Sequence, residues 1–278
     1  MLLLLWVPLV SGCASLVSNA ASGFADNLSL AVLNQDDPET AKAALPSYMV
    51  LVDSLIEGSP DNADMLAAGA EMYASYGAVF ADDNARARRL TSKARGYAQT
   101  AMCEQYAEAC DWRSMNYDEF VASLEGVNER DADYLYTYGF ATLAYMRAHS
   151  AETDTLAELP QAEALFEYYL EIAGDDVSPS THVYMGILKT LLPPALGGKP
   201  EEARAHFEKA IEMSDGRDLS AKVEYARGYA KLLYERELHD RLLNEVLEAD
   251  PHYSGLTLTN VIAQQDAKGL LEEADDYF

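Results

Sequence analysis

Ala203, Phe207, Ala210 and Asp215 stand four, three and five residues apart, and the same register returns along the chain. It gives His239, Leu243, Val246 and Pro251 thirty-six residues later, and Ala162, Phe166, Tyr169 and Gly174 forty-one residues earlier. A period of this length is one supersecondary unit, and small, aromatic and small residues at these steps match the second helix of a tetratricopeptide-type hairpin. The preceding helices supply a glycine: Gly139 in "YLYTYGFATLAY", Gly186 in "HVYMGILKTLL" and, one residue out of register, Gly228 in "EYARGYAKLLY". Leu66, Gly69 and Tyr73, after Pro60, continue the scheme. A small residue lets the neighbouring backbone approach while an aromatic fills the gap beside it, so successive hairpins stack. The expected fold is all-α, with about four degenerate hairpins in a superhelical solenoid over residues 34–278.

Ala, Leu, Glu and Tyr recur at three- and four-residue steps almost everywhere, and alternating β-branched runs are absent. Breakers at "GSPDN", "SMNYD", "GDDVSPS", "PPALGG", "SDGRD" and "ADPHYSG" leave segments of helical length between them. The surplus in the forty-one-residue step is accounted for by the "PPALGG" insertion.

The first ten residues, "MLLLLWVPLV", are too short to cross a bilayer of roughly 30 Å. They read as the apolar part of an export signal. Val10-Ser11-Gly12-Cys13 resembles a bacterial lipobox, so residues 1–12 are expected to be removed and Cys13 to carry acyl chains as the first mature residue. Residues 13–33 then form a lipidated segment and first helix. Ala14, rather than Asp, after the cysteine suits delivery to the outer membrane.

Forty-six acids against twenty bases give a formal net charge of −26. Such a surface repels phosphate backbones, and a nucleic-acid partner is excluded. Cys103 and Cys110 form an even pair in a compartment that permits disulfides. On one continuous helix their Cα atoms would lie about 10 Å apart, too far to bridge. A bond therefore requires the helix to end between them; otherwise the thiols are free.

No nucleophile elbow, P-loop, dinucleotide fingerprint or zinc-protease motif is present, and the five histidines have no ligand spacing. The Glu-Ser dipeptide of lytic transglycosylases is absent too. Neither a catalytic residue nor a metal or cofactor is expected. Aromatics are the ligand candidates: Tyr134, Tyr138 and Tyr145 fall on roughly one helical face, with Tyr136 and Phe140 off it, and Tyr73, Tyr76, Tyr184 and Tyr225 join them. Tyrosine offers a flat apolar body with one polar tip, equally suited to a pocket or to packing between hairpins. "ARARRLTSKAR" gathers Arg86, Arg88, Arg89, Lys93 and Arg95. Arg86 and Arg89 are candidates for a partner or pocket rim, the other reading being a solvated face paired with Asp82 and Asp83. Pro193, Pro194, Leu196, Gly197 and Gly198 form either a second rim or a structural turn.

Taken together, the lipobox, "NQDDPETAKAALPSYMVLVDSLIEGSPDNADMLAAGAEMYASYGAVF", "VYMGILKTLLPPALGGKPEEARAHFEKAIEMS" and "YARGYAKLLYERELHDRLLNEVLEADP" resemble the TatT component associated with tripartite ATP-independent periplasmic (TRAP) transporters. The resemblance implies a helical lipoprotein in the periplasm of a Gram-negative bacterium, beside the transporter and its substrate-binding protein. It also implies a homo-oligomer, taken as a trimer, with an internal cavity. The expected partners are the TRAP substrate-binding protein, a hydrophobic or carboxylate small molecule, and the membrane through the lipid anchor. A general envelope scaffold that holds peptides or proteins in its groove is the alternative.

Overall fold

A computed structural model describes residues 27–174 and 177–278; the apolar leader and Cys13 lie outside the described residues. All regular structure among the described residues is helical. Helix α1 spans Pro38–Gly58, α2 Ala63–Val79, α3 Asn84–Gln105, α4 Tyr117–Leu124 and α5 Ala132–Ala148. A short α6, Thr153–Ala157, leads to α7, Leu159–Ile172; α8, Pro179–Thr190, pairs with α9, Pro200–Met213. Helix α10 is Leu219–Glu224, α11 Arg236–Glu248, α12 Thr257–Glu272 and α13 Ala274–Tyr277. No helix among the described residues is long and apolar enough to cross a membrane.

Local chemistry sets the boundaries. Asp37, Asn62 and Asp83 each turn a side-chain oxygen onto a backbone N–H in the first turn of α1, α2 and α3. Asn116 and Glu119 satisfy each other's backbone donors in a capping box that starts α4. Helix α3 ends at Gln105, and a 3₁₀ segment, Ala107–Ser114, turns the chain back. That turn brings the Cα atoms of Cys103 and Cys110 to 4.7 Å, and the two sulfurs are bonded.

The small-and-aromatic register becomes packing between helices. A side chain on Gly139 would collide with Leu165 and Phe166, and one on Gly186 with Phe207. Phe166, Phe207, Ala203 and Ala210 are wholly buried. Gly228 is the instructive exception. Helix α10 runs on through a π-helical segment, Tyr225–Ala230. A π turn inserts one extra residue into the helical ladder, which accounts for the one-residue slip of this glycine. Gly228 still faces its neighbours, Thr190 and Phe207.

One buried cluster runs from Met49 in α1 to Ala267 in α12. The last long helix also touches α1, and the Gly255 N–H donates to Asn34 Oδ1 at 2.7 Å, 221 residues apart in the chain.

Candidate functional site

The densest unusual chemistry lies where α3, α5 and α7 meet the 3₁₀ segment. Arg95 is 4% exposed, on the inner face of α3. Its terminal nitrogens donate to the Glu158 carboxylate at the start of α7, and its guanidinium lies 4.7 Å above the Tyr145 ring. Burial works against the charge, but the Glu158 hydrogen bonds outweigh it and hold the guanidinium ionised. Tyr145 in turn stacks on His149, 3.9 Å between centroids. Burial, reinforced by Arg88 and Arg95, lowers the His149 pKa and favours its neutral form.

Beside this pair is a small chamber of ≈ 20 Å³. Trp112 and Phe120 form one wall in an edge-on contact, and Tyr138 closes the back. Trp112 is fixed by its Nε1–H bond to Ser123 Oγ at 2.8 Å. Two buried side-chain atoms on the lining residues, Arg95 Nε and Thr142 Oγ1, have no hydrogen-bond partner. The aromatic spacing of α5 pointed to Tyr138, but Arg95 and Thr142 carried no signal of this role in the sequence.

Outside the chamber, the cations of α3 are largely neutralised. Arg86 pairs with Asp82 at 3.0 Å and lies over the Tyr76 ring; Arg88 pairs with Glu152. Lys93 reaches Asp53 at 2.6 Å. Arg89 stays at the surface, where with Arg88, Asn84, Ser92 and His149 it lines an open depression of ≈ 700 Å³.

The seven candidate tyrosines do not converge on one pocket. Tyr73 is buried and donates to Asp53, which also accepts from Tyr97 and Lys93. Tyr76 donates to the Lys42 carbonyl at 3.3 Å. Pro46, four residues on, has no N–H to offer that carbonyl, so the phenol takes the place of a missing helical bond. Tyr134 donates to Asp64, Tyr138 and Tyr145 flank Arg95, and Tyr225 stacks on Phe207. Tyr184 is half-buried against Phe140 and Tyr136, the two aromatics that the sequence pattern set aside. Glu71 lies near this group and accepts from Thr137 at 2.7 Å. Burial raises its carboxyl, with Asp133 adding repulsion against the effect of the Thr137 bond.

The loop after α8 is built as a rigid turn. Pro193 O accepts from the N–H of Leu196 and of Gly198, and Lys199 N returns to Lys189 O at 2.8 Å. Gly197 has φ +101°, and a side chain on Gly198 would strike the Leu192 carbonyl. Pro193 and Pro194 frame the turn, and Leu196 at its tip is 68% exposed. Beneath it, buried Lys189 is paired with Glu163, Glu167 and Glu202, and Lys199 also reaches Glu163.

A different surface is free of charge over its middle turns, between Glu39 and Glu57. Along α1, Ala43, Ala44, Ser47, Val50, Leu51, Ser54 and Leu55 are exposed and share one face at helical steps. Val50 is 67% and Leu51 55% exposed, on a chain whose formal charge is −26. Helices α2 and α9, by contrast, carry exposed charged side chains between their exposed apolar ones.

The family model of the TRAP transporter T-component matches residues 34–278, which include every helix from α1 to α13. No curated protein matches the chain.

Proposed function

We propose, for a chain that belongs to the TRAP transporter T-component family, a role as a lipid-anchored periplasmic accessory that docks the substrate-binding protein and holds an organic solute. Its accessory place in TRAP transport follows from the family; the observation that carries it is the match across residues 34–278. The anchor is the acylated Cys13, with the outer membrane as destination. Homo-oligomerisation belongs to the same reading.

The uncharged face of α1 is the proposed dock. A face lined by Val50, Leu51 and Leu55 meets a partner without the repulsion that the acidic remainder of the surface would impose. The paired arginines of α3 are poorer candidates, because Arg86 and Arg88 already hold carboxylates of their own chain.

The test is interferometry with the purified TRAP substrate-binding protein of the same transporter. The unaltered chain binds it, and Leu51→Glu abolishes binding while the helical circular dichroism stays unchanged. Full binding by Leu51→Glu, at unchanged affinity, removes α1 from the dock. No binding by the unaltered chain removes the docking role.

A further inference from the structure

We propose that an aromatic recess between α2, α5 and α8 binds a small quaternary ammonium cation, held against the rings of Tyr136, Phe140 and Tyr184 beside the Glu71 carboxylate. Naming the class of solute deepens the solute-holding part of the proposed role and rests on that reading for where the solute comes from.

Three helices bring these groups together. Helix α2 packs on α5, and α5 on α8. Asp133, Tyr136, Thr137 and Phe140 share one face of α5 at three- and four-residue steps. From α8, the Tyr184 ring lies 5.3 Å from Phe140 and 6.1 Å from Tyr136, centroid to centroid. From α2, Glu71 accepts the Thr137 hydroxyl at 2.7 Å. All three rings keep part of their surface open, and Glu71 is exposed. Yet desolvation by the surrounding protein is the chief influence on both the Glu71 carboxyl and the Tyr184 phenol, and it raises each. Groups that touch solvent while hemmed in by protein line a recess, not a convex surface.

The charge of this recess is one-sided. Among the described residues the charge that bears on Glu71 is that of Asp133, a second carboxylate. Those that bear most on the Tyr184 phenol are Asp218 and Glu71 itself. Arg147, farther along the same face of α5, is already held by Glu224 at 3.3 Å. The carboxylates of the recess therefore have no cation opposite them, and the apolar walls focus their field. An anionic solute is repelled there and a cation is drawn in.

The rings decide which cation. An aromatic face attracts positive charge through its quadrupole, more strongly where water is excluded. A divalent metal ion or a primary ammonium needs several oxygen ligands or hydrogen-bond acceptors in place of its water. Glu71 has one oxygen already engaged by Thr137, and the rings supply none. A quaternary ammonium asks for no hydrogen bond, and its methyl groups pack on the ring faces.

The experiment is isothermal titration calorimetry of the full chain at constant ionic strength and about pH 8, which keeps Glu71 ionised. The probes are choline and its uncharged analogue of the same shape, with carbon in place of nitrogen. Choline should saturate, with the analogue at least about tenfold weaker. Glu71→Gln removes the charge and keeps an acceptor for Thr137, whereas Phe140→Leu removes a ring and keeps every charge. Each should weaken choline binding by about five- to tenfold with unchanged helical circular dichroism. No saturable choline binding, or equal binding of the analogue, overturns the site. Undiminished binding by either variant overturns it too, because the acidic surface at large would then be holding the cation. Capture of the substrate-binding protein is measured on the same sample. Choline binding without capture overturns the docking role alone, and capture without choline binding overturns the cation site alone.

Discussion

Phe207 occupies the space that a side chain on Gly186 would need: a Cβ added to the glycine would lie 2.6 Å from two carbons of the ring. The contact joins α8 to α9 and repeats between Gly139 and Phe166. Gly186→Ala gains about 1 kcal/mol of helix propensity but overpacks the core at a cost of about 1–3 kcal/mol. Phe207 is fully buried and cannot swing away, so the variant should be less stable in urea unfolding by up to about 2 kcal/mol. Gly96→Ala is the control. That glycine lies within α3 with nothing near its missing Cβ, and alanine there should add about 0.5–1 kcal/mol.

His182 and His206 face each other with Nδ1 atoms 2.9 Å apart, one donating and the other accepting. Burial, then the neighbouring His206 and Lys209, pushes the His182 pKa down to about 4 from 6.5. Burial and Lys189 lower His206 as well. The unfolded chain therefore takes up protons first as the pH falls. The contribution of the pair is complete above about pH 6.5 and is lost as the pH drops towards about 4. Discounted for partial solvent contact, the loss between pH 7 and pH 5 should be about 1 kcal/mol. Replacing both with glutamine should flatten that part of the stability profile, as read from urea midpoints.

Lys189 is buried and holds three carboxylates, whereas Lys199 shares only Glu163 and is about half exposed. Lys189→Ala leaves Glu163 inside with a weaker partner and should cost about 3–5 kcal/mol. Lys199→Ala should cost less than about 1 kcal/mol. Equal losses in chemical unfolding would contradict this division.

The Cys103–Cys110 bridge closes a short loop that ends next to Trp112. Reduction should lower stability by about 2–3 kcal/mol through the freedom returned to the unfolded chain. A thermal scan with and without dithiothreitol measures it, and an unchanged midpoint would contradict the bond.

The helical class and the hairpin contacts were legible because they are local: a glycine and an aromatic at set steps on successive helices define Gly139 against Phe166 and Gly186 against Phe207. The family resemblance was legible in the same stretches, and the match covers them. Gly228 looked misplaced because a π turn cannot be read from spacing alone. The surroundings of the tyrosines could not be read from spacing for another reason. Their phenols are taken by partners far along the chain, such as Asp64 for Tyr134, or by a carbonyl freed by Pro46 in the case of Tyr76. Arg95 read as one more cation in a charged run. Its burial and its pairing with Glu158, 63 residues further along the chain, leave no trace in local spacing.

The most direct measurement is solute uptake by the TRAP system in cells that keep or lack this chain, with the membrane and substrate-binding components present in both. If the chain is an accessory of that transporter, its removal lowers uptake at limiting solute, and restoring the unaltered chain recovers it while Leu51→Glu does not. Equal uptake with and without the chain would contradict the account.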